Sequence, residues 1–178
     1  MGLVLLAVVA VLVPLVALVL EHVGNVRISE RHHSHHDTYV VPVAFTRALV
    51  LAMVFAGVFG LALAGLCALR VFLVDPVWVL VFFDAFVVSG FAMWWCLGRY
   101  KVSTFEECLA VTPLLGPDVW VRYEEIERLE WIGFRKGSGY RNLGIWAGGR
   151  RVATLSGIVD VEQILMRIDR FDVLPHPL

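Results

Sequence analysis

Apolar positions run almost unbroken through three stretches of this chain, and short alternating segments follow. Met1–Leu20 is twenty residues without a charge, closed by Glu21. A membrane-spanning helix needs about 20 apolar residues, so the run qualifies. A cleaved leader would want a basic start and small residues at its cleavage site, and "MGLVLL" and "VALVLE" supply neither. The first span is therefore expected to be retained, with Pro14 kinking rather than ending it. A second run, 48–69, is flanked by Arg47 and Arg70. Asp75-Pro76 then reads as a helix cap followed by a first helical residue, opening a third run that continues to Leu97. Trp78 near one end and Trp94-Trp95 near the other fit interfacial aromatic belts.

Basic residues give the orientation. Arg27, Arg31 and Arg47 lie in the polar loop 21–47, and Arg99 and Lys101 open the tail, whereas the connection between spans two and three offers only Arg70. By the positive-inside rule the loop and the tail are expected in the cytoplasm of a multi-pass protein of the cytoplasmic membrane. The second span carries a row of small residues four apart, from Ala44 and Ala48 through Ala52, Ala56, Gly60 and Ala64 to Ala68. Such a row is a candidate helix-packing groove, with Ala52, Ala56, Gly60 and Ala64 at its centre. Its partner would be a neighbouring span, a second copy or another membrane protein. Asp84 is an acid well inside the third span. Such residues face protein or water and mark either a relay or a packing residue.

From Arg99 onward the periodicity changes. Candidate strands are Tyr100–Thr104, Cys108–Thr112, Val119–Tyr123, Ile126–Gly133, Leu143–Ala147 and Arg151–Leu155. "PLLGPD" marks a turn, and "AGGR" a hairpin in which both glycines take positive φ. Asp160 caps a last helix with Gln163 at the capping-box position, and Val161, Ile164, Leu165, Ile168 and Phe171 form its apolar stripe. Six strands and a closing helix suggest a small barrel or bent sheet.

Composition sharpens the division at residue 98. The chain is 59% hydrophobic and 17% charged, against roughly 45–50% and about 25% in average soluble proteins. Of its 31 Asp, Glu, Lys and Arg residues, 22 lie from Arg99 onward. The fold class expected is a three-span α-helical membrane region, 1–98, plus a small β-rich domain, 99–178. Three cysteines without a Cys-x-x-Cys indicate neither a disulfide framework nor a zinc knuckle, and a net charge of −1 gives no reason to expect nucleic acid.

"RYKVSTFEECLAVTPL", "VWVRYEEIERLEW", "LGIWAGGRRVATL" and "VDVEQILMRIDRF" resemble the bacterial PH-like domains that follow membrane helices. The resemblance covers about the last 75 residues and centres on a "Y-x-x-I" step, here Tyr123 to Ile126. It implies a binding or scaffolding module without catalytic residues or a cofactor. It also implies seven strands, which leaves one unassigned.

Charge in the tail is uneven. Between Trp131 and Val159 stand Arg135, Lys136, Arg141, Arg150 and Arg151 without an acid. In a simple meander the turns alternate between two ends, so "PLLGPD" and "FRKGSGYRN" share the membrane end and "AGGR" takes the other. Leu114, Leu115, Phe134 and Tyr140 would then reach the interface while Arg135, Lys136 and Arg141 meet anionic headgroups. Ordinary solvated turns are the alternative. The lipid or partner site expected is therefore Arg135, Lys136, Tyr140 and Arg141.

No nucleophile set is present, "GSGYRN" lacks the third glycine of a dinucleotide loop, and the glutamates near Tyr123 read as solvated charge. No enzyme is expected. "RHHSHHD" offers His32, His33, His35 and His36 as candidate metal ligands. Without cysteines or a rigid frame, a polar juxtamembrane segment titrating near pH 6.5 is the preferred reading. The expectation is a non-enzymatic adaptor or accessory subunit that binds membrane lipids and a membrane-protein partner or its own copy. The rival is a small metal- or proton-handling transport component using the histidines and Asp84.

Overall fold

The computed structural model of the chain describes residues 2–29, 37–133 and 141–174. Its residues divide into two compact units, Met1–His32 with Val43–Leu97 and His33–Pro42 with Gly98–Leu178.

The first unit contains three helices, α1 (Gly2–Ser29), α2 (Val43–Ala68) and α3 (Pro76–Arg99). Gly2–Gly24, Val43–Ala68 and Pro76–Arg99 are each long and apolar enough to cross a membrane. Asp75 caps α3 as its sequence predicts, its Oδ1 accepting from the Val77 amide at 2.9 Å. Glu21 does not end α1. The helix continues to Ser29 because one carboxylate costs the helix little once it is hydrogen-bonded across to its neighbours.

The packing face of α2 is Thr46, Val50, Met53, Gly57, Gly60, Ala64 and Cys67, with Ala56 beside it. Those positions alternate four and three apart, the 3.5-residue spacing of a coiled-coil seam. Ala10, Pro14, Ala17 and Glu21 continue the same spacing on α1, as do Leu80, Asp84, Val87, Phe91 and Trp94 on α3. Of the row spaced strictly by four, Ala56, Gly60 and Ala64 are buried, whereas Ala44, Ala48, Ala52 and Ala68 are exposed. A step of four residues advances 400°, so the row winds off any straight contact face. Two glycines allow close approach: a Cβ at Gly57 would lie 2.4 Å from the Ala10 carbonyl oxygen, and one at Gly60 would lie 2.7 Å from the Phe83 Cβ.

The second unit is built on two antiparallel sheets. The first has the order β1 (Asp37–Val40), β2 (Lys101–Thr104), β3 (Cys108–Thr112), β4 (Val119–Arg122). The second has the order β5 (Arg128–Ile132), β6 (Asn142–Ala147), β7 (Arg150–Leu155). Seven strands are thus present among the described residues. β1 is a strand that the sequence pattern did not predict, contributed by the loop between the first two helices, where it pairs Asp37 with Thr104 and Val40 with Lys101. The polar connection 21–47 is therefore not one loop, and residues 37–42 belong with the tail. "DTYV" escapes a sequence reading because an isolated four-residue strand has no stability of its own and forms only against β2.

Inward positions fill the β core: Val102 and Thr104, Leu109 and Val111, Val121, Leu129, Leu143 and Ile145, and Leu155. Helix α4 (Val161–Ile168) adds Val161, Ile164, Leu165 and Ile168. Burial of each such side chain stabilises by about 1.5–3 kcal/mol, so α4 is held by its apolar stripe more than by its eight-residue length. Asp160 Oδ1 caps it through the Gln163 amide at 3.0 Å. The stripe ends earlier than its sequence predicts, because Asp169 takes a left-handed conformation (φ 51°) and leaves Phe171 half-exposed in a short 3-10 turn.

Candidate functional site

Both connections to the helices leave the β unit at one end. Val40 and Lys101 are register partners, with Val41 and Pro42 separating β1 from α2 in the chain and Tyr100 separating α3 from β2. This is the entry end. The Tyr100 hydroxyl accepts from the Ser156 amide at 2.7 Å, and Asn142 Oδ1 accepts from the Gly157 amide at 2.9 Å. The Arg99 guanidinium donates to the Gly116 carbonyl at 3.4 Å. The turn 113–118, the start of β6 and residues 156–157 therefore share the entry end. Gly157 presses on the backbone of Arg141, where a Cβ would lie 2.6 Å from the amide nitrogen. Burial raises the Tyr100 hydroxyl pKa above its ordinary value.

The opposite, far end is organised by the Tyr123–Ile126 step. The Tyr123 hydroxyl donates to the Phe105 carbonyl at 2.8 Å, its amide donates to the Glu107 carbonyl at 3.0 Å, and Ile126 enters the core. Burial, with the neighbouring Cys108, pushes the Tyr123 pKa up to about 12. Arg170 donates to the carbonyls of both Tyr123 and Ile126 and grips Asp172, holding that carboxyl below the usual range. Glu127 accepts from the amides of Gly148 (3.1 Å) and Gly149 (2.9 Å). Those glycines have φ of 59° and 70°, as the "AGGR" hairpin requires. The step is thus a corner that joins two sheets, and its side chains are occupied structurally.

The entry end carries Arg99, Lys101 and Arg141 with Asp118 and Asp160, and the far end carries Asp37, Glu106, Glu107, Glu124, Glu125 and Glu127 together with Arg122, Arg128, Arg167 and Arg170. At the far end Arg167 pairs with Asp37 at 3.6 Å, and Arg128 pairs with Glu130 and lies over the Trp146 ring at 4.3 Å. Arg150 begins β7 at this end, whereas the Arg151 side chain reaches back toward Gly144 and lines a cavity together with Pro113 of the entry-end turn. This cavity, of about 230 Å³, lies between β3, β4 and β7, lined by Val111, Val119, Val152, Ala153 and Arg151 among others.

Of the sequence-predicted site, Arg141 is exposed at the entry end with its guanidinium 6.0 Å from the Trp131 ring. Arg135, Lys136 and Tyr140 lie outside the described residues, as do His32, His33, His35 and His36. Among the described residues no group of three or more His, Cys, Asp or Glu side chains is gathered for a metal.

The helical unit contains a polar cluster that its sequence did not single out. Glu21 of α1 accepts from the Thr46 hydroxyl of α2 at 3.0 Å and from the Trp94 indole of α3 at 3.1 Å, tying three helices at one end. Trp94 is accordingly buried rather than part of an interfacial belt, while Trp95 and Trp78 are exposed. The signal available was an acid, a threonine and a tryptophan at matching depth in three spans. Asp84 is 6% exposed, and neither carboxylate oxygen has a hydrogen-bond partner among the described residues. Comparison with protein-family models, characterised proteins and solved structures gave no match.

Proposed function

We propose that the chain is a non-enzymatic, membrane-anchored adaptor or accessory subunit whose β unit is a PH-like module for a protein partner, anionic lipid headgroups, or both. The observation that carries this reading is the pairing of β1 with β2. It ties the module to two different helices through connectors of residues 41–42 and residue 100. A module tethered twice by so little chain suits work at a bilayer surface. Four strands, three strands and a closing helix agree with what the PH-like resemblance implies. Arg99, Lys101 and Arg141 at the entry end, with Arg135 and Lys136 adjoining in sequence, favour an anionic cytoplasmic leaflet at about 1 kcal/mol per contact.

The test uses the full chain in nanodiscs, since a fragment starting at Arg99 lacks β1. Amide exchange at 113–118 and 141–143 should slow when phosphatidylglycerol is added to phosphatidylcholine. Replacing Arg135, Lys136 and Arg141 with Ser should remove the effect, and replacing Arg150, at the far hairpin, should not. Identical exchange in both lipids would refute headgroup binding and leave the protein partner, sought by co-purification from native membranes in mild detergent.

Asp84 favours a second reading, a small proton- or metal-handling transport component, because its buried carboxyl has no partner among the described residues. Proton flux through proteoliposomes that Asp84→Asn abolishes would select it over the adaptor.

A further inference from the structure

The turn between β3 and β4 is apolar at its tip. Turns are ordinarily dominated by Gly, Pro, Asn, Asp and Ser, a pattern that Pro113, Gly116, Pro117 and Asp118 follow. Here the tip is Leu114-Leu115, 38% and 76% exposed, between Pro113 and the pair Gly116-Pro117. Neither leucine belongs to the β core.

The turn is also fixed. Prolines restrict φ on both sides, and Gly116 has φ 106°, a conformation that other residues rarely adopt. Its carbonyl accepts from Arg99, the last residue of α3. An apolar tip held rigid in this way gains nothing from water. It lies at the entry end, where β1 leaves for α2 and β2 arrives from α3. Both of those helices are long and apolar enough to span a bilayer.

We propose that this turn is a lipid anchor, with Leu114 and Leu115 entering the bilayer interface beside the basic residues Arg99 and Lys101. The occupant is lipid because the chain reaches the turn's end of the module directly from two membrane-length helices. The arrangement matches other interfacial anchors, in which apolar side chains enter the headgroup boundary beside basic ones. The anchor fixes which end of the β unit meets the membrane and leaves the far end, with its exposed Trp120 stacked on Phe105, for other contacts. It rests on the reading that the β unit works at a membrane surface, and it requires no anionic headgroup.

The experiment uses the full chain, with Cys67, Cys96 and Cys108 replaced by Ala, in nanodiscs of phosphatidylcholine. A polarity-sensitive fluorophore is placed by Leu114→Cys at the tip or by Glu106→Cys at the far end. Doxyl groups on the lipid acyl chains should quench the tip label at least twofold and leave the far-end label unchanged. Adding Leu115→Ser to the tip-labelled protein should remove more than half of that quenching, because this exposed side chain supplies the insertion. A tip label with a water-like spectrum and no quenching would overturn the proposal. So would a blue-shifted but unquenched label, which would show the turn covered by protein. Repeating the measurement in high salt and with phosphatidylglycerol separates the two readings. Quenching unaffected by either keeps the anchor even where headgroup attraction fails. Quenching seen only with phosphatidylglycerol at low salt refutes the apolar anchor and leaves the headgroup reading.

Discussion

Glu127 faces two consecutive amides of a turn that only glycines adopt readily, so its carboxylate and the hairpin stabilise each other. A hydrogen bond to a charged group contributes about 1.5–3 kcal/mol, less where water competes, as at this exposed site. Glu127→Ala should therefore cost about 1 kcal/mol, with Glu127→Gln intermediate, as read from thermal unfolding of the detergent-solubilised chain. Tyr123 supplies a pH dependence of known sign. Its pKa is raised from 10.0 to about 12 in the folded chain, so above pH 10 the unfolded chain releases this proton first. The contribution of Tyr123 should be level below pH 10 and fall as pH rises toward 12. Tyr123→Phe should flatten that fall while lowering stability at neutral pH by about 1 kcal/mol, for the lost bond to Phe105. An identical alkaline decline in the variant would exclude Tyr123 as its source.

At the scale of the element, the helical seam predicts which small residues of α2 matter. Gly57→Leu drives a side chain into the backbone of α1 and should destabilise by about 1–3 kcal/mol, since a carbonyl cannot swing aside. Gly60→Leu meets the Phe83 Cβ, which moves only with the backbone of α3, and should cost a similar amount. Ala52→Leu lies on the exposed side and should stay within about 0.5 kcal/mol. Melting of the three variants in one detergent ranks them, and a loss at Ala52 equal to that at Gly57 would reinstate the four-residue row as the contact. Among the strands, β1 is the element whose partner comes from furthest along the chain. Without it β2 becomes an unprotected edge. The tail from Arg99 onward should aggregate on its own, and joining residues 37–40 to it through a flexible linker should restore a monomer, as scattering would show.

For the whole molecule the β1–β2 pairing constrains topology. The segment before α2 and the segment after α3 lie on one side of any layer that the helices cross, with residues 69–75 on the other. Thiol labels at Thr38→Cys and Glu106→Cys should share one accessibility, and a label at Leu73→Cys the opposite one. On the positive-inside expectation the first two face the cytoplasm, and an impermeant reagent should then reach only position 73 in intact cells. Labelling of 38 and 106 on opposite sides would contradict the fold itself; labelling of both from outside would contradict only the orientation.

The sequence by itself determined the elements whose stability is local or depends on one averaged property. Three helices long and apolar enough to cross a membrane follow from apolar length alone, the cap at Asp75 and the one at Asp160 from residue type, and the hairpin from the two glycines at 148 and 149. The tail's six strands and closing helix were legible for the same reason. Tertiary structure decided whatever depended on a partner distant in the chain. β1 is a strand only because β2 lies beside it, and Glu21 belongs to the bundle only because Thr46 and Trp94 meet it. The packing face of α2 was hidden because a helix apolar all round has no amphipathic signal, and only close approach distinguishes Gly57 from Ala52. The turn at Leu114-Leu115 was readable as a turn, and its place beside Arg99 came from the register that brings Val40, Lys101 and Thr112 to one end. Local propensity writes itself into neighbouring residues, whereas pairing across 60 residues of chain is settled by which edges and faces are left to be satisfied.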